Sequence, residues 1–372
     1  MFAILVEVCG GPDRARFWAA YACVFTVLTP LMAISKPGLL DAVAAQGSAG
    51  LVLQRAVFYA LAGVALGLLL AGQCDLASDR PRPARAAQHR RGERAMSAVA
   101  VIGARGFVGR NVVAALEARG ATVRRPARPE CDLVCTPPED LARGLAGVEV
   151  VVNTVGALAG PLEAVHLDGV RNPIQACRHA GVRRLVHVSA IGSAPGGATR
   201  YWRTKGAAES LLYAITEFDD RIVRPALVVG PGGASTALFS ALSALPVVPR
   251  VPSGPLRPVA LDDLVETIAR TADFGIPTSR RVDAVGPDVM VLDSVVKALG
   301  AWLGTCPFGR LALGAGPLSL LARVGGALGV GPMNAEALAM LSAGATGDVA
   351  STIEALGRRF TPSTLPALRR GR

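Results

Sequence analysis

The chain has 372 residues, enough for two domains or for one large domain with an appendage. Apolar residues make up 51% and aromatics only 5%, with a mean hydropathy of +0.41, so the chain either buries a large core of small aliphatics or places part of itself in a membrane. The net charge of +11 comes without the basic–aromatic interleaving of a nucleic-acid module, and the seven cysteines form no CxxC pair, which argues against nucleic acid, a metal site and a disulfide framework.

Residues 17–34 and 56–72 are uncharged apolar runs close to the lower length of a membrane-crossing helix, and residues 1–75 are read as a two-helix membrane segment. Glu7 and Asp13 precede the first run and a second run follows it, which is unlike a cleaved signal peptide. Residues 76–96 form a Pro- and Arg-rich linker with Arg80, Arg82, Arg85, Arg90, Arg91 and Arg94. The positive-inside rule keeps that linker, and everything after it, at the cytoplasmic face. The alternative is a translation start at Met96, which makes the protein soluble and cytoplasmic.

From Ser97 the pattern becomes strand–helix alternation. Strands are expected at residues 98–102, 120–124, 148–153 and 184–189, with helices over 109–119, 139–146 and 170–180. That order predicts a Rossmann-type, doubly wound parallel sheet over 97–225, followed by a small C-terminal substrate region over 226–372. Within the latter, residues 311–330 read as an amphipathic helix broken by Pro317 and Arg323.

Gly103, Gly106 and Gly109 sit between the first strand and the first helix (residues 103–109, GARGFVG). The three glycines give a tight turn, close approach of backbone to a pyrophosphate, and close helix–strand packing, and the helix N–H groups then face the phosphates. The loop residues Arg105, Phe107 and Val108 belong to the same cradle. About 20 residues on, where NAD enzymes carry an acid, stand Arg124 and Arg125. With Arg105 they are placed to pair with a 2′-phosphate, which favours NADP(H) and leaves NAD(H) as the alternative.

Tyr201 and Lys205 lie four apart and share one helix face. A phenol there acts as acid or base at a carbonyl or carbinol oxygen, and the ammonium is expected to lower the phenol's pKa. The only lysines are Lys36, Lys205 and Lys297, so a lysine kept at this spacing carries weight. His166 reads as a polar contact behind the site or as a capping or surface histidine, and His187 as a satisfied or edge histidine in a strand.

Residues 97 to about 275 resemble an extended or atypical short-chain dehydrogenase/reductase. The matching pieces are residues 103–109, 131–133 (CDL), 153–156 (NTVG), 166–172 (HLDGVRN), 187–192 (HVSAIG), Tyr201 with Lys205, 223–225 (VRP) and 257–263 (RPVALDD). The subgroup is similar to the NAD(P)H-binding accessory subunit of respiratory complex I and to bacterial reductases fused to DoxX-like membrane domains, whose tails residues 332–341 resemble. The resemblance implies Asp132 and Leu133 by the adenine, and Asn153, Val155 and Gly156 under the cofactor. It implies a catalytic Ser189 beside the nicotinamide, and Pro225 near the carboxamide. It departs at Ala190 and Ile191, where the family carries its Ser or Thr; Ser193 is the nearest further hydroxyl. The implied activity is hydride transfer at a carbonyl or alcohol of a small, apolar substrate. The competing readings are a non-catalytic NADP(H)-binding subunit of a membrane complex and a nucleotide-sensing regulator.

Overall fold

The computed structural model describes residues 98–126, 133–245, 247–305 and 334–358, with isolated positions between 306 and 333 and at 360. The two apolar runs, the arginine-rich linker, Cys131, Asp132 and most of 311–330 lie outside the described residues. Among the described residues no helix is long and apolar enough to cross a membrane.

Six parallel strands form the central sheet in the order β2-β1-β3-β4-β5-β9. They are β1 Val99–Ile102, β2 Val123–Arg124, β3 Val150–Asn153, β4 Arg184–Val188, β5 Asp219–Pro225 and β9 Arg281–Ala284. β1, β3 and β4 are buried at every position, which is why β1 and β3 read as nearly continuous apolar runs rather than alternating ones, while β4 buries Arg184 and His187 among its apolar residues. Val99 and Val101 of β1 face one layer, with Val112 and Leu116 of α1 (Phe107–Ala118) and Leu264 and Ile268 of α6 (Leu261–Ala272). Ala100 and Ile102 face the other, with Leu141 of α2 (Pro138–Gly144), Ile174 and Cys177 of α3 (Gly169–Ala180), and Ala208 and Leu212 of α4 (Arg200–Tyr213). The sheet is thus wound on both faces, as the alternation predicted.

The last strand, β9, comes from beyond Pro225, so the sheet draws on the C-terminal region that sequence reading had set apart. Its outward backbone groups meet hydroxyls of the short helix α9 (Val349–Leu356). Asp283 donates its N–H to Ser351 Oγ, Val285 donates to Thr352 Oγ1, and the Thr352 hydroxyl donates to Asp283 O.

The short strands β6 (Val228–Val229) and β8 (Val259–Ala260) pair in parallel. A second compact unit includes residues 231–249 and 299–311. It holds α5 (Ala234–Ser243), buried at every position from Thr236 to Ser243. There β7 (Val247–Arg250) pairs with β10 (Gly309–Ala312). Between β9 and β10 runs α7 (Leu292–Leu303), and α8 (Ala335–Ala343) precedes α9.

Candidate functional site

Strand order reverses at β1, with β2 on one side and β3 on the other, and in such sheets the ligand crevice opens at the carboxyl ends of the strands at that point. The glycine loop leaves the end of β1 there. Gly103 turns with φ +81°, where a side chain is strained, and Gly106 donates its N–H to Gly103 O at 2.8 Å. A Cβ at Gly109 would stand 2.1 Å from Gly103 O and 2.7 Å from Thr154 Oγ1. Gly106 is the N-cap of α1, which begins two residues earlier than the sequence suggested. No side chain caps its first turn and no acid lies in it. Those free N–H groups at a positive helix end suit a pyrophosphate, so the residues present fit a dinucleotide. Phe107 and Val108 open the helix and pack partly into the layer beneath.

The next wall is the loop after β3. Pro173 inside α3 has no N–H to give the carbonyl four residues back, at Gly169. Asn153 fills that gap, donating Nδ2 to Gly169 O at 2.8 Å while its Oδ1 accepts from Val155 N–H at 3.1 Å. Its side chain therefore shapes the loop rather than pointing at a ligand. The neighbouring Thr154 hydroxyl donates to Ile102 O at 2.9 Å, which links the two crevice walls.

Thr199 caps α4, its hydroxyl accepting from Trp202 N–H at 3.2 Å. Trp202 packs where a Cβ on Gly192 would stand 2.6 Å away, and a Cβ on Gly206 would meet the Ala194 backbone at 2.2 Å, so the loop after β4 lies tightly on this helix. Lys205 is 2% exposed, donating Nζ to Val188 O at 3.0 Å and to Val155 O at 3.3 Å. Burial lowers its pKa to about 8, partly offset by the Glu209 carboxylate. Burial pushes the Tyr201 phenol up to about 12, opposite to the lowering expected from Lys205, because desolvation penalises the phenolate.

His166 is neither a cap nor a surface residue. It is 1% exposed, within the π-helix Ala164–Asp168, and its ring meets Tyr201 edge-on at 5.3 Å. His187 is also buried, but neither ring nitrogen has a hydrogen-bond partner among the described residues, so it is not the satisfied histidine expected.

Ser189 departs most from its expected role. Its hydroxyl donates to Glu209 Oε1 at 2.5 Å, and Ser193 Oγ lies 3.2 Å from it. Glu209 is 2% exposed and also receives Arg224, and a buried carboxylate draws every donor within reach. Both serine hydroxyls are thus turned into the core rather than toward a substrate. Pro225 ends β5, and its carbonyl accepts from Ile191 N–H at 2.9 Å.

Of the candidate 2′-phosphate ligands, Arg125 is engaged in an ion pair with Glu117 of α1. Arg124, at the end of β2, and Arg105, in the loop, are both exposed. Leu133 is buried and accepts at its carbonyl from Asn172 Nδ2 at 2.7 Å, a backbone anchor rather than a surface for adenine. Sequence reasoning missed Thr204, Glu209 and Arg224. It also missed Asn334, which donates to Leu158 O at 2.8 Å, and Glu336, which accepts the Tyr201 N–H at 3.1 Å.

Residues 103–237 match the family described as NAD(P)H-binding. The chain is 34% identical to the sterol demethylase protein B of Methylococcus capsulatus, over 35% of this chain and 51% of that one. It is also 34% identical to the ceramide reductase of Caulobacter vibrioides, over 38% and 50%. The chain thus spans about half the length of these curated relatives. In fold it resembles the NADPH-dependent quinone oxidoreductase QOR2 of Escherichia coli complexed with NADPH, with a TM-score of 0.56 at 20% identity, over 73% of this chain and 99% of that one. The chain therefore carries an NAD(P)H-binding, Rossmann-like domain whose relatives are of the short-chain dehydrogenase/reductase kind.

Proposed function

We propose that the protein is an NADP(H)-dependent oxidoreductase acting on a carbonyl or alcohol of an apolar, lipid-like substrate, held by its N-terminal segment at the cytoplasmic face of a membrane. The observation that carries this reading is the buried Lys205 ammonium, pinned by Val155 O and Val188 O one helical turn from Tyr201 and beside the glycine cradle. When held at the glycine cradle, NADP(H) would supply the hydride. Tyr201, protonated at neutral pH, gives its proton to the substrate oxygen, and Lys205 stabilises the phenolate left behind. Exposed Arg105 and Arg124 favour a 2′-phosphate. The lipid class is supported by the sterol and ceramide in the relatives' names, and membrane attachment by the uncharged runs at 17–34 and 56–72.

The test uses the full chain in detergent micelles with NADPH and a panel of keto-sterols and long-chain ketones. Oxidation of NADPH is expected with at least one of them, and Tyr201→Phe should cut the rate by about 100-fold or more while leaving NADPH binding in place. Full activity in Tyr201→Phe refutes the mechanism. The inward Ser189 and Ser193 hydroxyls favour one competing reading, a dinucleotide-holding subunit of a membrane complex. Tight NADPH binding with no oxidation across the panel supports that reading instead.

A further inference from the structure

We propose that His166 is the positioning residue of this site, its imidazole tying the loop after β3 to the first turn of α4 and so holding Tyr201 and Lys205 in register with the glycine cradle. The proposal deepens the oxidoreductase reading and rests on it for the roles of Tyr201 and Lys205. A π-turn is rare and widens the helix by a residue. Here it lies over Ala164–Asp168, and His166 is its buried member.

The protons of the tie are placed by their partners. Ala157 donates its N–H to His166 Nε2 at 3.2 Å, so the imidazole proton is on Nδ1. Nδ1 lies 2.8 Å from Thr204 Oγ1 and donates to it, and the Thr204 hydroxyl donates onward to Tyr201 O at 3.0 Å. One neutral ring thus satisfies a loop amide and a helix hydroxyl together, and it stands perpendicular to the Tyr201 ring. The loop it holds is the one that encloses Lys205: Val155 O accepts from Nζ, and a Cβ at Gly156 would lie 3.4 Å from Nζ and 4.0 Å from His166 Nε2. The groups around the ammonium are Tyr201 and Glu209 on α4, His166 on the π-helix and His187 on β4, of which Glu209 is the anion. A protonated His166 would lose its bond from Ala157 and set a second cation beside Lys205. Burial and that cation keep its pKa at about 3, so the tie holds at neutral pH.

If His166 seals the loop over Lys205, removing its hydrogen bonds admits water to the ammonium and relaxes the lowered pKa. The chain's only lysines are Lys36, Lys205 and Lys297, so full-length protein carrying 13Cε-lysine gives a sparse spectrum, and Lys205→Arg assigns the signal of interest. His166→Phe keeps the ring and loses both hydrogen bonds. Its Lys205 midpoint should rise by about one pH unit or more, toward the ordinary 10.5, with partial return in His166→Gln. An unchanged midpoint in folded His166→Phe overturns the proposal. If that variant does not fold, Thr204→Val cuts the helix end of the tie alone and is read in the same way. The titration needs no turnover. A shifted midpoint in a protein inert toward every substrate would sustain the positioning role while removing the oxidoreductase reading.

Discussion

Arg124 and Arg125 are adjacent in sequence and differ in what they are free to do. Arg125 leans back onto Glu117, while Arg124 stands exposed at the end of β2. Arg124→Glu should therefore raise the KM for NADPH by about 10-fold, the scale of one lost charge-assisted contact to a phosphate, and leave the KM for NADH unchanged. Steady-state kinetics with both cofactors decide it, and an equal loss for both would remove Arg124 from that role. Single residues were legible where composition made them conspicuous, as with Lys205 in a lysine-poor chain. They were not legible where role depends on a partner from another element. Nothing near Ser189 in the sequence announces that Glu209, itself paired with Arg224, takes up its hydroxyl, nor do the neighbours of His166 announce Ala157 and Thr204.

Between elements, α1 approaches the turn after β1 closely, and that approach depends on Gly109. Gly109→Ala would drive a methyl to 2.1 Å from Gly103 O, so helix and turn must part. The expected result is an NADPH affinity weakened by about 10-fold or more and a stability loss of about 1–3 kcal/mol, measured by titration and urea unfolding. Gly144→Ala is the control. It sits in α2 with nothing within 4 Å of the added methyl, and it should leave both measurements unchanged or slightly raise stability. Gly109→Ala indistinguishable from that control would contradict the close packing. β1, β3 and β4 could be read from sequence because burial on both faces leaves mostly apolar runs, whereas β5 mixes Asp and Arg with its apolar positions and gave no such signal. β9 could not: residues 281–284 are few and mix Arg and Asp with apolar positions. The link between Asn153 and Gly169 was equally hidden, since it depends on the hydrogen bond that Pro173 leaves unmade.

At the scale of the whole molecule, the strand ends divide their duties. The candidate site gathers at the carboxyl ends. At the amino end of β4, buried Arg184 pairs with Asp219, donates to Thr271 O and Asp273 O, and stacks on Phe274. Global stability also carries a pH signature. His166 and His187 are buried and neutral, with pKa values lowered first by burial and then by the Lys205 charge, to about 3 for His166 and well below 6.5 for His187. Their contribution is complete above the unfolded value of 6.5. It is lost as pH falls below that, because the unfolded chain then binds protons the folded chain refuses, by up to about 1.4 kcal/mol per pH unit for each histidine. Urea midpoints should fall between pH 7.5 and 5, and His187→Phe should fall less steeply; equal slopes for the two proteins would remove His187 from this account.

The hydroxyls of α9 along β9 give the sheet a finished edge. Exposed outer strands offer a row of open amides and carbonyls that recruits strands from other molecules. Ser351 and Thr352 already occupy those groups at Asp283 and Val285, so a side-chain fringe stands where a seventh strand would otherwise dock, and at those positions the sheet has no free rung on which fibril-like stacking could begin.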